Sequence, residues 1–588
     1  MKVLFFAPHS AIWVHAFPEA LVAESLQQLG HEVVYVSCGE VLQQQCVAMS
    51  GLGLRPLASI AERKRACERC NANKAILRQR MALRGPDMSD VLNADDFSRI
   101  DHILAGVDRK NVLRLEVDSI PVGRYALYEL ILHRKKNDLF LDGDEWPEYR
   151  AALRGALGAL FAGKRLFEME KPERVVMYNS LYSVNRVIWR LADMRQVPSY
   201  FMHAGSNLSR RLQTLWLGRD ATFRFAKNLI AEWPTYRDRP CPVKLIDEAA
   251  AHMQVLFRGE SVFGYSSAAG ASQADIRARF GIRKDQKILV ATMSSPDERL
   301  AAEVVDGLPK YGELMFQTQV EWIEAVVKFV ARRPDLFLLI RVHPREFPNK
   351  REHVRSRNAD LLAEAFSQLP ANAAVNWPTD NLALYDLANH AHVFLNSWSS
   401  AGKEMALLGL PVVAYSSELL LYPADLNYLA SSEEDYFCKI DLALAEGWSL
   451  ERSRRVFRWL AVEHGYAPID IADSYPQQER RRTLADRAVH RIRYLLDADY
   501  VQKSDCVRRA PKLAQQTTIE KVLALAASTP LDPRVGRPLP QASFESEDAA
   551  IREALASIGE SLFGKLSYEN RGPLARRLET LGSPAKAA

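Results

Sequence analysis

Short apolar runs of strand length recur along the chain, each followed by a polar loop and then an amphipathic stretch. Val3-Leu-Phe-Phe-Ala7 leads through such a loop into the segment Pro18 to Leu29, closed by Gly30, and on into His31-Glu-Val-Val-Tyr-Val-Ser37. Two strands joined by a helical crossover form the opening βαβ unit of a parallel sheet, because parallel neighbours need a connection long enough to cross back. The pattern returns at Arg174-Val-Val-Met-Tyr178, with the loop Asn179 to Ser183, a helical stretch to Met194, and a strand at Pro198-Ser-Tyr-Phe-Met202 ending in His203-Ala-Gly205. A third series starts at Lys287-Ile-Leu-Val-Ala-Thr292 and continues through Leu336 to Val342, Val393 to Leu395 and Pro411 to Tyr415.

Strands alternating with helices predict an α/β protein with two tandem Rossmann-like domains. The first spans residues 1–270, with a long, charged helical insertion over about 60–170. The second spans 271–470, after the Ser/Gly/Ala-rich stretch Tyr265 to Ser272. Residues 471–588 have no strand signal and read as a helical extension with a frayed tail. The length of 588 residues exceeds what one core supports, and 48% apolar with 25% charged residues excludes wholesale disorder. No apolar run reaches the ~18 residues of a membrane span, and His9, Ser10 and His15 interrupt the N-terminal run, so the expected location is cytoplasmic. A net charge of +5 on this length is mild and implies no nucleic acid.

In open parallel sheets ligands bind beyond the carboxyl ends of the strands, which singles out three loops of the second domain. Thr292-Met-Ser-Ser-Pro-Asp-Glu298 offers Ser294 and Ser295 to a phosphate. Arg341-Val-His-Pro-Arg-Glu346 combines two guanidinium groups with His343, and Pro344 stops the strand beside it; imidazole and guanidinium N–H groups are the donors an oxyanion needs. The third loop, Asn396-Ser-Trp-Ser-Ser-Ala-Gly402, places Ser397, Ser399 and Ser400 before a helix whose first turn holds Glu404, positioned either for two ribose hydroxyls or simply to complement the helix dipole. A solvated strand end and a plain capped helix are the alternatives for the second and third loops.

A His-Pro pair after a strand, then a Ser-x-Ser-Ser loop and a helix running Gly-x-Glu-x-x-x-x-Gly-x-Pro-Val, resembles the donor half of GT-B-fold glycosyltransferases. The resemblance is to capsule- and lipopolysaccharide-type enzymes, sialyltransferases and Kdo transferases among them, in which such motifs bind CMP. It covers residues 286 to 416, and 1–40 and 174–205 in outline. It implies that His343 and Pro344 contact the donor phosphate and nucleotide, that Ser397, Ser399 and Ser400 hold phosphate, and that Glu404 holds the ribose. It implies a nucleotide sugar, CMP-activated in the narrower form, and a glycan or glycolipid acceptor, with no cofactor required for transfer. The family's acidic base motif is not recognisable in the first domain. Two rivals remain: a sugar-nucleotide epimerase of the same fold, and a non-catalytic glycan-binding or export partner.

The loop after the first strand should face the interdomain cleft. It supplies His15 and Glu19 as candidates for proton transfer from the acceptor and His9 as an acceptor-side group, joined by Asn179, His203 and Gly205. Each has an ordinary packing or capping alternative. Cys67-Glu-Arg-Cys70 has metal-ligand spacing, and Cys38 and Cys46 would complete a four-sulfur site for zinc or an iron–sulfur cluster; simple packing is the alternative. Arg480-Arg-Arg482, followed by Leu484, Ala488, Ile492 and Leu495, reads as a basic helix with one apolar stripe. That stripe either packs on its own domain or rests on the anionic inner surface of the cytoplasmic membrane.

Overall fold

A computed structural model describes residues 1–259, 265, 275–308, 312–349, 353–475 and 483–582. Arg480 to Arg482, most of the Tyr265 to Ser272 stretch and the last six residues lie outside the described residues. Among the described residues there are twelve strands: β1 Lys2–Phe6, β2 Glu32–Val36, β3 Arg174–Tyr178, β4 Ser199–Ala204, β5 Thr214–Arg219, β6 Lys287–Thr292, β7 Leu336–Arg341, β8 Ala373–Asn376, β9 Val393–Asn396, β10 Val412–Ala414, β11 Tyr428–Leu429 and β12 Ile469–Asp470.

They form two six-stranded sheets, in the orders β12-β5-β4-β3-β1-β2 and β11-β10-β9-β6-β7-β8. The second sheet is parallel throughout. Numbered from its own first strand it runs 3-2-1-4-5-6, the Rossmann order, with the direction of winding reversing between β6 and β9. In the first sheet the corresponding reversal lies between β1 and β3, and β5 and β12 run antiparallel at one edge. Both sheets are covered on both faces, as parallel sheets must be. Along β1, Leu4 and Phe6 enter one buried cluster while Val3 and Phe5 enter another; along β6, Ile288 and Val290 oppose Leu289 and Ala291 in the same way.

Between β2 and β3 the described elements are all helical. The helix Ile60–Met81 begins with a capping box, the Glu62 amide donating to Ser59 Oγ at 3.3 Å and the Ser59 amide to Glu62 Oε2 at 2.9 Å. After the second sheet the chain passes from the helix Leu450–Leu460 into a π-helical turn, Ala461–Tyr466, and returns through β12 to the edge of the first sheet. The extension then packs backwards. Ile519, Val522 and Leu523 bury against the same face as Phe17 and Leu21, and Gln516 Nε2 donates to the Ser25 carbonyl at 2.6 Å. Helix Phe544–Phe563 adds Ile551, Leu555 and Ile558 to the cluster holding Ile246 and Met253, and the buried Arg458–Glu547 pair anchors it at 2.6 Å.

Candidate functional site

A cleft beyond the carboxyl ends of β6, β7 and β9, faced by the β4–β5 side of the first domain, contains a cavity of about 430 Å³. The second domain contributes Arg341, His343, Pro344, Ser399, Ser400 and Glu404 to its wall, six of the residues singled out from the sequence.

His343 follows β7, and Pro344 opens the short 3-10 turn Pro344–Glu346. The Arg345 backbone N–H donates to His343 Nδ1 at 3.2 Å, so the ring carries its proton on Nε2. Burial, reinforced by Arg345, Arg341 and Lys135, pushes the imidazole down to about 3, leaving a neutral N–H donor across the ordinary pH range. Glu404 is held on both sides: Tyr385 Oη donates to Oε2 at 2.8 Å and Ser400 Oγ to Oε1 at 2.9 Å. Each carboxylate oxygen keeps a second acceptor position. Ser400 therefore orients Glu404 instead of capping the seven-residue helix Ala401–Leu407, while Ser399 Oγ accepts from the Ala401 amide at 3.2 Å.

Four other candidates stand behind this wall. Ser294 and Ser397 bind one another at 3.1 Å and share Gln319, whose Oε1 accepts from the Ser294 amide at 2.7 Å and from Ser397 Oγ at 3.0 Å. They tie the ends of β6 and β9 together and do not line the cavity. The Ser295 hydroxyl is buried between Asp297 Oδ1 and Glu346 Oε1, at 2.7 and 2.8 Å. Arg345, expected to meet phosphate, is turned inwards: Nε donates to Asp297 Oδ2 at 2.8 Å, Nη2 to the Leu132 carbonyl at 2.9 Å, and Nη1 to Tyr265 Oη. A buried carboxylate demands such a partner, which is the physical reason this arginine serves the protein interior. Arg341 does line the cavity, its Nη1 bonded to Asn376 Oδ1 and its guanidinium pushed down to about 10 by burial.

Groups not anticipated from the sequence complete the cavity. Lys403 Nζ meets Glu463 at 2.6 and 2.7 Å, and the His252 and His464 rings stand 4.8 Å apart, edge to face. Glu463 and His464 belong to the π-helical turn, a distortion that often marks functional positions and that has no distinctive sequence signature. The facing wall comes from Ser206, Leu208, Trp216 and Phe223 of the first domain.

The acceptor-side candidates cluster at the other reversal without lining this cavity. His15 stacks on Tyr178 at 4.0 Å, His203 lies 5.6 Å from the same ring, and His9 meets Tyr182 edge-on at 5.6 Å. Burial pushes His9 and His203 down to about 4, and lowers His15 further with help from its basic neighbours. Glu19 points into the domain: Oε1 accepts from the Tyr178 amide at 2.8 Å, and burial raises the carboxyl to about 8. Asn179 sits in the left-handed region at φ 55°, its Oδ1 accepting from the Leu181 amide at 3.2 Å. Gly205 is needed for close approach, since a Cβ there would lie 2.1 Å from Thr214 Oγ1. Glu129, unremarked in the sequence, joins the group: the Ser183 amide donates to it at 2.9 Å, and burial raises it to about 7.

Cys38, Cys46, Cys67 and Cys70 line a separate pocket of about 20 Å³ beneath the His9–Ser10 loop. The Ala11 amide donates to Cys70 Sγ at 3.1 Å and the Leu42 amide to Cys38 Sγ at 3.4 Å. Among the described residues no three His, Cys, Asp or Glu side chains are arranged to hold a metal ion, and the two amide contacts show how Cys38 and Cys70 pack against the surrounding loops. Burial raises Cys46 to about 12 and Cys67 to about 11, and raises Cys38 and Cys70 as well. A disulfide reagent at mildly alkaline pH should therefore titrate the exposed Cys438 fast and these four slowly. Several fast thiols in the native protein would contradict this burial.

No protein-family model and no curated protein matches the chain. Among solved structures, KpsC of Thermosulfurimonas dismutans, described as a beta Kdo 2,4 transferase, is similar at 14% identity over 55% of this chain and 87% of that one, with a TM-score of 0.33. The UDP-GlcNAc 2-epimerase of Neisseria meningitidis bound to UDP-GlcNAc is similar at 12% identity over 78% and 94%, with a TM-score of 0.25. The spinosyn rhamnosyltransferase SpnG is similar at 12% identity over 79% and 96%, with a TM-score of 0.22. The assignment of two Rossmann-like domains rests on the strand orders themselves.

Proposed function

We propose that the cleft binds a nucleotide sugar and that the protein transfers its glycosyl group to a glycan or glycolipid acceptor. The observation that carries this reading is the convergence, on one interdomain cavity, of a neutral imidazole N–H donor with two serine hydroxyls and a restrained carboxylate. His343 Nε2 and the Ser399 hydroxyl suit the phosphate oxygens, and Glu404 suits the paired hydroxyls of a ribose. As the glycosyl bond breaks, negative charge grows on the leaving phosphate, and donors already fixed there stabilise it without reorganising. In the narrower form of the proposal the nucleotide is CMP and the acceptor a bacterial surface polysaccharide. On the acceptor side His15 is the group proposed to take the proton, while Glu19, bonded to the Tyr178 amide, positions the ring on which His15 stacks.

The test is calorimetric binding of CMP, UDP and GDP to the protein and to His343→Ala. CMP should bind, and the variant should weaken it by roughly tenfold to a hundredfold, the range for a hydrogen bond to a charged group. Because His343 stays neutral, affinity should be level between about pH 7 and 8, above the second ionisation of the CMP phosphate at about 6; affinity rising steadily with acid across that window would assign the contact to an imidazolium instead. Binding of UDP or GDP alone would keep the reaction class and change the donor. Turnover of the nucleotide sugar without acceptor would point to epimerisation, and failure of all three nucleotides to bind would overturn the reading.

A further inference from the structure

The helix Leu484–Leu496 in the C-terminal extension has an apolar side that none of the described residues covers. Leu484, Leu495 and Leu496 are 83%, 76% and 82% exposed, and Ile492 56%. At 3.6 residues per turn seven of its eight apolar positions, those four with Ala485, Ala488 and Val489, fall within a sector of about 140°, with Tyr494 outside it. Arg491 and Arg493, both exposed, flank that sector on its two edges.

We propose that this helix lies flat on an anionic lipid bilayer, with its apolar sector among the acyl chains and the two arginines on the headgroup phosphates. Thirteen residues extend only about 20 Å, and no described helix is long and apolar enough to cross a membrane, so the geometry is that of an interfacial helix. Charge decides between a bilayer and a second copy of the chain. Self-pairing through the apolar sector would set arginine margins against arginine margins, whereas anionic headgroups complement both. Long arginine stems also suit the edge of such a sector, because they keep the charge in the polar layer while the stem covers apolar surface.

The mounting fixes where that surface would lie. The next helix, Tyr500–Arg508, is tied to the first domain by Trp13 Nε1 donating to Asp505 Oδ2 at 2.9 Å and, just before it, by Arg69 Nη1 on Asp499 Oδ1 at 2.6 Å. Trp13 opens the helix that follows the His9 loop, so the bilayer would rest against the first-domain side of the cleft. This placement does not depend on the nucleotide-sugar reading.

Flotation of the full chain with phosphatidylcholine vesicles, with and without phosphatidylglycerol, tests the proposal. Binding is expected only with the anionic lipid, weaker at high salt. The triple variant Leu484→Ser, Ile492→Ser, Leu495→Ser should lose roughly tenfold or more of it, and Arg491→Gln with Arg493→Gln should abolish the preference for anionic lipid. The substituted residues are exposed, so all variants should keep the wild-type melting temperature, which separates lost docking from lost folding. Absence of anionic-lipid binding by the wild type, undiminished binding by the triple variant, or a concentration-dependent dimer that the triple variant abolishes would each overturn the assignment.

Discussion

Acidification from about pH 6.5 to about pH 5 is expected to lower the melting temperature steeply and to remove several kcal/mol of stability. His9, His203 and His392 are pushed by burial down to about 4 and His343 to about 3, and His15, His252, His390 and His464 are lowered by the same cause. In the unfolded chain these rings take up protons near pH 6.5, while in the folded protein they stay neutral until far lower pH. Between the two values the unfolded state binds more protons, so stability rises with pH there and is lost as pH falls, by about 1.4 kcal/mol per unit for each ring. Glu19 and Glu129, raised to about 8 and about 7, act in the opposite sense: the folded state holds their protons, so their contribution grows as pH falls towards 4.5. Setting two carboxyls against the four histidines with stated values still leaves a net slope of about 3 kcal/mol per unit, before the other four rings are counted. A typical domain has only about 5–15 kcal/mol in total. Thermal melts across this range check the expectation, and the maximum should lie near pH 6.5 to 7. A level profile from pH 5 to 7, or a maximum above pH 8, would mean that these rings are hydrated in solution.

The same burial bears on function. His9, His15 and His203 stand at the reversal between β1 and β3, while His343 and the His252–His464 pair reach the cavity associated with the reversal between β6 and β9. Kept neutral, they offer hydrogen-bond donors and acceptors without adding fixed charge to the cleft. Its formal charges come from Arg341, Glu404 and the compensated Lys403–Glu463 pair.

The architecture was legible because parallel strands buried on both faces read as unbroken apolar runs, and β1, β2, β3, β4, β6, β7, β9 and β10 all showed themselves that way. β5 did not: its apolar run is only Leu215-Trp216-Leu217 before Gly218 and Arg219 end it, and its antiparallel pairing with β4 leaves no crossover helix to mark it. β11 and β12 are two residues each, too short for any periodicity. At the candidate site, motif spacing picked out loops that end at the cavity but not the direction of each side chain within them. Arg341 and Arg345 look equivalent in Arg341-Val-His-Pro-Arg345, yet the partner that decides their roles, Asp297, lies on a different loop. Glu463 and His464 line the cavity from a π-helical turn, and residue types alone do not announce that turn.

Arg345→Met is expected to be among the most destabilising single substitutions in the chain, at about 3–5 kcal/mol. Arg345 and Asp297 are 4% and 1% exposed, and the substitution strands a buried carboxylate that has only the Ser295 hydroxyl left among its named partners. It also removes the bond from Arg345 Nη2 to the Leu132 carbonyl, which joins the second domain to the first-domain helix Tyr128–Arg134. Arg345→Lys should recover part of the loss, because an ammonium restores charge but not the planar fork. Arg345→Met combined with Asp297→Leu should recover more, since removing both charges leaves none uncompensated. Nucleotide binding gives the decisive contrast with His343→Ala. The contact that sets the His343 tautomer comes from the Arg345 backbone, so Arg345→Met, wherever it remains folded, should still bind nucleotide, whereas His343→Ala should melt near the wild-type temperature and bind poorly. A variant at 345 with wild-type stability and no nucleotide binding would return Arg345 to the ligand, and the Asp297 pair would then be a resting state that opens when nucleotide arrives.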